Sequence, residues 1–139
     1  MQLDNVCYPV EFQSAYIKEH SKYENDLKNL LERTGFVEKF RGLYKQRLKY
    51  LGDKHRRCVQ KKDWFEALKH VEGELYAIKI KAQKNIRIIF SFTEYAGTEH
   101  AILLYPFEEK EKGKRKSKGS YGTAIGIALG RLKEVSCDD

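Results

Sequence analysis

From Ser14 to Arg33 the large apolar groups Tyr16, Tyr23, Leu27, Leu30 and Leu31 recur at helical spacing, and Thr34-Gly35 supplies a stop. This predicts a first helix. Phe36, Val37, Phe40, Leu43, Tyr44 and Leu51 keep the same period until Gly52-Asp53 and predict a second amphipathic helix. The short connection between the two calls for an antiparallel helical hairpin. Asp63 and Glu66 are spaced like a capping box ahead of Trp64, Phe65, Leu68 and Val71, which predicts a further turn or two of helix. Upstream, residues 5–12 alternate loosely between apolar and polar and predict a short strand, restricted by Pro9 to a sheet edge.

In residues 75–92, LYAIKIKAQKNIRIIFSF, the repeat becomes two. Tyr76, Ile78 and Ile80 share one face and Ala77, Lys79 and Lys81 the other; Ile86, Ile88, Phe90 and Phe92 then fall together, with Arg87, Ile89 and Ser91 opposite. A hairpin of these strands must superpose its apolar faces, because a slip of one residue inverts one of them. Pairing Ile80 with Ile88 and Ile78 with Phe90 does so, leaves Gln83-Lys84-Asn85 as the loop, and sets Lys81 across from Arg87. Two cations face to face cost up to about 1 kcal/mol, so an anion is expected beside them. Residues 100–107 (HAILLYPF) are apolar on both faces and predict a buried third strand that Pro106 ends. Residues 108–120 have no apolar residue and predict a loop. Ile125, Ala128, Leu129, Leu132 and Val135 predict a terminal helix over 123–135, weakened by Gly126 and Gly130 at about 1 kcal/mol each. The expected class is α+β: an N-terminal strand and helical hairpin packed on a small antiparallel sheet, with a C-terminal helix.

The chain has 139 residues, 41% of them hydrophobic, which suits a single domain over 1–139 and leaves no room for a second core. The net charge of +7 is distributed unevenly. Residues 39–62 alone carry +9, residues 109–118 carry +4, and the remainder is acidic at −6. A solvated helix face would explain one lysine-rich stretch. Two separate basic segments plus the cations of the hairpin point instead to a surface that contacts phosphates, in which most side chains position a backbone and do not read bases. Arg47, Lys54, Arg56 and Arg57 in the first segment and Lys112, Lys114 and Arg115 in the second are the candidate contacts.

Cys7, Cys58 and Cys137 are odd in number and scattered, which fits a reducing compartment. His20, His55, His70 and His100 form no HExxH or paired-ligand spacing, so neither a metal nor another cofactor is expected. The start of the chain has no basic and apolar leader, and no apolar run approaches the roughly 18 residues of a spanning helix, so a soluble, cytoplasmic protein without a membrane partner is expected.

Three pieces of the sequence, LYAIKIKAQKNIRIIFSF, then AILLYPFEEK at 101–110, then AIGIALGRLKE at 124–134, resemble the RelE/ParE toxin superfamily and in particular its HigB-like branch. The resemblance covers about half of the chain, and the upstream helices follow the superfamily's order of elements. It implies a RelE-like fold and a toxin of a toxin-antitoxin pair that cuts mRNA, usually on the ribosome, and is restrained by a cognate antitoxin, expected to be a helix-turn-helix protein. Arg87 matches the arginine that contacts the scissile phosphate in that family, Lys79 matches a basic residue of the preceding strand, and Lys81 continues it. Tyr105 stands where the branch often has His, and Lys110 stands at the second lysine of a Lys-Lys pair. Glu108 and Glu109 depart from the pattern, occupying positions that are commonly neutral and basic, and Tyr121 is a possible counterpart of a tyrosine some relatives place near the active site.

Cleavage of RNA without a metal proceeds by attack of the 2′-hydroxyl on the adjacent phosphorus. It needs a base for that proton, cations for the equatorial oxygens and an acid for the departing 5′-oxygen. A lysine serves as base only when neighbouring cations or burial lower its pKa. Lys79, Lys81 and Arg87 on one sheet face meet that condition, with Arg87 confined to holding phosphate and Lys110 or Tyr105 as the acid. Lys79 and Lys81 can equally be the solvent face of a strand, and Tyr105 a packed strand-end aromatic. Two other functions fit the same sequence: a ParE-like inhibitor of DNA gyrase that acts by binding, and a phage or mobile-element protein that binds nucleic acid without chemistry.

Overall fold

In a computed structural model of the chain, residues 3–68, 74–109, 111–112, 115–116 and 118–136 are described, without the side chains of 111–120 and 136. The elements are β1 (Asp4–Asn5), β2 (Ile17–Glu19), α1 (Tyr23–Thr34), α2 (Glu38–Lys54), a 3-10 turn (His55–Gln60), β3 (Phe65–Ala67), β4 (Tyr76–Lys81), β5 (Asn85–Tyr95), β6 (Thr98–Glu108), β7 (Glu111–Lys112), β8 (Arg115–Lys116) and α3 (Lys118–Ser136). The fold is α+β. Six strands form one sheet in the order β1-β2-β6-β5-β4-β3, and β7 and β8 form a separate two-stranded pair. All pairs of the large sheet are antiparallel except β2 with β6, which run parallel.

The alternation in β4 and β5 builds two cores, one on each face of the sheet. Ile78, Ile80, Ile86, Ile88, Phe90 and Phe92 pack with Leu27, Leu30, Phe40, Tyr44 and Leu48 of α1 and α2. On the other face Ile89, Ile102, Leu104 and Phe107 pack with Ala124, Ala128 and Val135 of α3. This second core is what makes a helix holding Gly126 and Gly130 viable: its stability comes from docking, not from propensity. α1 carries Glu24 and Asp26 in its first turn and Arg33 in its last, matching the helix dipole. It ends at Gly35, whose left-handed φ of 71° lets its N–H reach the carbonyl of Leu31 at 2.9 Å. Residues 35–37 lead straight into α2, and the two helices share a buried hydrogen bond between the hydroxyls of Tyr23 and Tyr44 at 2.9 Å.

Several local expectations are corrected. The strand expected over 5–12 is confined to Asp4–Asn5, and the chain then turns through a cis Tyr8-Pro9 peptide. The first helix begins at Tyr23, not Ser14, because Ile17–Glu19 is drawn into the sheet beside Ala101–Leu103. Tertiary pairing overrides helical spacing in the same way at 65–67, where Phe65 lies opposite Ile78 and drops into the first core. The rest of that expected helix, residues 69–71, lies outside the described residues. α3 starts at Lys118, inside the stretch expected as loop.

The β4–β5 hairpin is shifted by two residues from the expected register. Ile80 faces Ile86, Ile78 faces Ile88, Lys79 faces Arg87 and Lys81 faces Asn85, with Ala82-Gln83-Lys84 as the loop. A shift of two keeps every apolar side chain on its proper face, so the pattern cannot distinguish the two registers. β5 and β6 are joined by Ala96-Gly97 with φ of 54° and 89°, the positive pair a tight hairpin turn requires. A bulge between Ile89 and Phe90 puts Leu104 out of step, so Tyr105 and Phe107 lie across from Ile89 and Arg87.

Candidate functional site

Arg87 lies mid-hairpin on the α3 side of the sheet, with β4 on one side and β6 on the other. Its side chain is only 9% exposed, and its Nε donates to Oε2 of Glu109 at 2.8 Å, a carboxylate that is itself 12% exposed. Glu109 is held in turn by its backbone N–H, which donates to the carbonyl of Asn85 at 2.8 Å. The anion that two facing cations call for is therefore supplied by the chain, by one of the two glutamates that depart from the family pattern. Arg87 is not the open phosphate-binding group expected. One group is left over: Nη1 of Arg87 is buried without a hydrogen-bond partner among the described residues. Oδ1 of Asn85, two residues along the strand, is likewise buried and unpartnered.

Of the other expected catalytic residues, Lys79, Lys81 and Tyr105 do not close on Arg87 as a cluster. Lys79 stands directly across the ladder, but its Nζ turns toward the carbonyl of Lys62 and donates to it at 2.8 Å. Lys81 is exposed and faces Asn85. Like-charge repulsion across the pair is relieved by these separate partners, and among the described side chains no second cation is aimed at the guanidinium. Tyr105 is half-buried in the second core, with Cζ of Arg131 5.2 Å from the centre of its ring, so it is a packed aromatic. Lys110 lies outside the described residues.

Two residues that carry no cationic signal complete the surroundings. Tyr121, in the first turns of α3, packs edge-on against Phe107 with centroids 5.1 Å apart and donates its hydroxyl to Oε1 of Glu66 at 2.8 Å. Burial, then the bond to Glu66, raises its pKa well above the ordinary phenol, so it stays protonated. The spacing of Glu66 suggested only a helix cap; its proximity to Tyr121 arises because β3 pairs with β4 and α3 crosses the same face.

The basic stretch of α2 divides by partner. Arg47 is 6% exposed, donates from Nε to the carbonyl of Lys79 at 3.1 Å and stacks over the ring of Trp64 at 4.2 Å. It is a structural residue and not the surface contact expected. Arg56 is tied by Glu99 at 2.9 Å and Glu74 at 3.4 Å. Lys54 and Arg57 are exposed and make no ion pair among the described residues. Lys112 and Arg115 fall in β7 and β8, and Lys114 lies outside the described residues.

No family model, curated protein or solved structure matches the chain. The described residues contain no helix long and apolar enough to cross a membrane. They also bring together a group that sequence spacing does not suggest: Cys7 Sγ lies 2.7 Å from Oε2 of Glu24 and 3.4 Å from Oε1 of Glu19, all within 4.8 Å of one another. Burial and the two carboxylates push the Cys7 thiol up to about 12, so it is a protonated hydrogen-bond donor and not a nucleophile.

Proposed function

We propose that the chain is an mRNA-cleaving toxin of the RelE/ParE kind, restrained by an antitoxin, with the guanidinium of Arg87 as the group that holds the RNA backbone. The observation that carries this is the buried guanidinium with Nη1 unpartnered, since a buried charged donor left open is a site that an acceptor oxygen would complete. Arg87 cannot lose its proton and so holds phosphate. Among the described side chains the group beside it able to take the 2′-hydroxyl proton is a carboxylate, Glu109, and Tyr121, bonded to Glu66 on the same face of the sheet, is a neutral proton donor. Glu109 takes the place of Lys79 or Lys81 as base, and Tyr121 that of Lys110 or Tyr105 as acid, in the scheme drawn from sequence.

A second reading, binding of nucleic acid without chemistry, is favoured by one observation: the amine of Lys79 is bound to the carbonyl of Lys62 and, among the described side chains, no other cation converges on Arg87. Mapping of mRNA ends after induction, and incubation of purified protein with RNA in the presence and absence of ribosomes, separates the two. Cleavage by this route gives discrete ends bearing 2′,3′-cyclic phosphate. The paired variant Arg87→Met with Glu109→Leu removes both charges together and should abolish those ends while remaining folded. Wild-type protein that binds RNA and leaves it uncut would establish the second reading, and supercoiling defects without RNA binding would point to gyrase.

A further inference from the structure

His55 has a conformation that its position does not explain. It follows α2 with φ 52° and ψ −130°, a backbone state favoured by glycine and costly for any side chain with a Cβ. Its imidazole lies flat on the ring of Tyr16, centroids 3.8 Å apart and planes within 10°. The residue is nevertheless exposed, and among the described residues no other ring covers it. The strained turn therefore holds an aromatic plane out from the surface, backed by a second aromatic that fixes its orientation.

Two cations close to it in the chain are unpaired among the described residues. Lys54 and Arg57 flank it, both exposed and without ion pairs among the described residues, whereas Arg56 between them is tied down by Glu99. A groove of about 340 Å³ lined by Ser14, Gly52, the lysines Lys45 and Lys49 and the acids Glu11 and Asp53 runs alongside, and Ser14 and Gly52 stand two and three residues from the stacked pair. Lys45 in that groove is paired with Glu11 at 3.4 Å; Lys49 has no such partner among the described residues.

We propose that His55 is a stacking platform for one unpaired base of single-stranded RNA, with Lys49, Lys54 and Arg57 holding the flanking phosphates. A flat aromatic bordered by backbone-directed cations is the arrangement that captures single strands with little sequence preference. Duplex RNA, whose bases are already stacked, gains nothing from the ring. The site is separate from Arg87 and deepens the RNA reading proposed above.

The test is fluorescence anisotropy with a short fluorescein-labelled oligoadenylate, an abasic strand of the same length, and a duplex. His55→Gly removes the ring and the backbone strain together, so it should melt no lower than wild type. It should also bind oligoadenylate roughly 5- to 150-fold more weakly, the worth of one stacked base. On the abasic strand and the duplex it should match wild type, and His55→Phe should retain binding to oligoadenylate. Neutralising Lys54 or Arg57 should lower the salt slope by about 0.7 each. Equal oligoadenylate binding by His55→Gly and wild type would overturn the platform while leaving RNA cleavage intact. Loss of cleavage in the Arg87→Met/Glu109→Leu variant with oligoadenylate binding retained is the result expected of two distinct sites. A wild-type protein that binds no single strand would overturn the platform and the RNA reading together.

Discussion

Removing either half of the Arg87–Glu109 pair should cost far more than removing both. With side chains 9% and 12% exposed and a 2.8 Å separation, either partner left alone is a charge in a low-dielectric pocket. Breaking such a pair from one side costs about 3–5 kcal/mol, whereas apolar replacement of both is often neutral or better. A domain of this size has about 5–15 kcal/mol in all, so Arg87→Met or Glu109→Leu alone should leave a marginal fold. Urea denaturation followed by circular dichroism reads this directly. With a slope of about 2 kcal/mol per molar, a loss of about 4 kcal/mol moves the midpoint by about 2 M. The double variant should return most of that shift, giving a coupling energy above about 2 kcal/mol. A coupling below about 0.5 kcal/mol would mean that the two groups are solvated independently, and both the buried pair and the reading of Nη1 as an open donor would fall with it.

Acidity should act on stability from two sides. Burial first, and then the neighbouring carboxylates of Glu24 and Asp4, push Glu19 up to about 7 from its ordinary 4.5 against the opposing bonds from Cys7. The native state thus binds that proton more tightly than the unfolded chain, and stability falls as pH rises from about 4.5 to about 7, by about 3 kcal/mol at most. Glu19→Gln should flatten this limb, so that urea midpoints at pH 5 and pH 8 differ less than in wild type. Burial lowers the pKa of His20, against the raising effect of Glu134 and with Arg131 and Lys22 also nearby. The unfolded chain takes that proton first, and stability should fall as pH drops below the ordinary histidine range; His20→Gln should remove this limb in the same titration. Arg47→Met should cost about 1–3 kcal/mol by orphaning the carbonyl of Lys79 and should leave the salt dependence of RNA binding unchanged. Arg57→Gln should do the reverse, with stability within about 0.5 kcal/mol of wild type and a shallower salt slope.

The α+β class, the two consecutive helices, the hairpin of β4 and β5, the third strand and the terminal helix were all legible in the order of periods along the chain. Periodicity reports which face is buried, and burial of apolar surface is the main force driving the chain to fold. It does not report which strand lies beside which. Ile17–Glu19 reads as part of a helix until β6 offers a parallel edge, and Phe65 reads as helical until Ile78 stands opposite it. The register of β4 against β5 was likewise open by two residues, because both registers bury the same isoleucines, and only the placement of the Ala82-Gln83-Lys84 turn decides between them. The candidate site was legible as a set of cations and illegible as a geometry. Charge is additive along a sequence, whereas a partner is a matter of position in space: Glu109 reaches Arg87 across a strand, Arg47 turns inward onto Trp64, and His55 is held outward by Tyr16. The sequence by itself determined how much charge the chain carries and which elements carry it. Only the tertiary structure decided which of those charges are already spoken for.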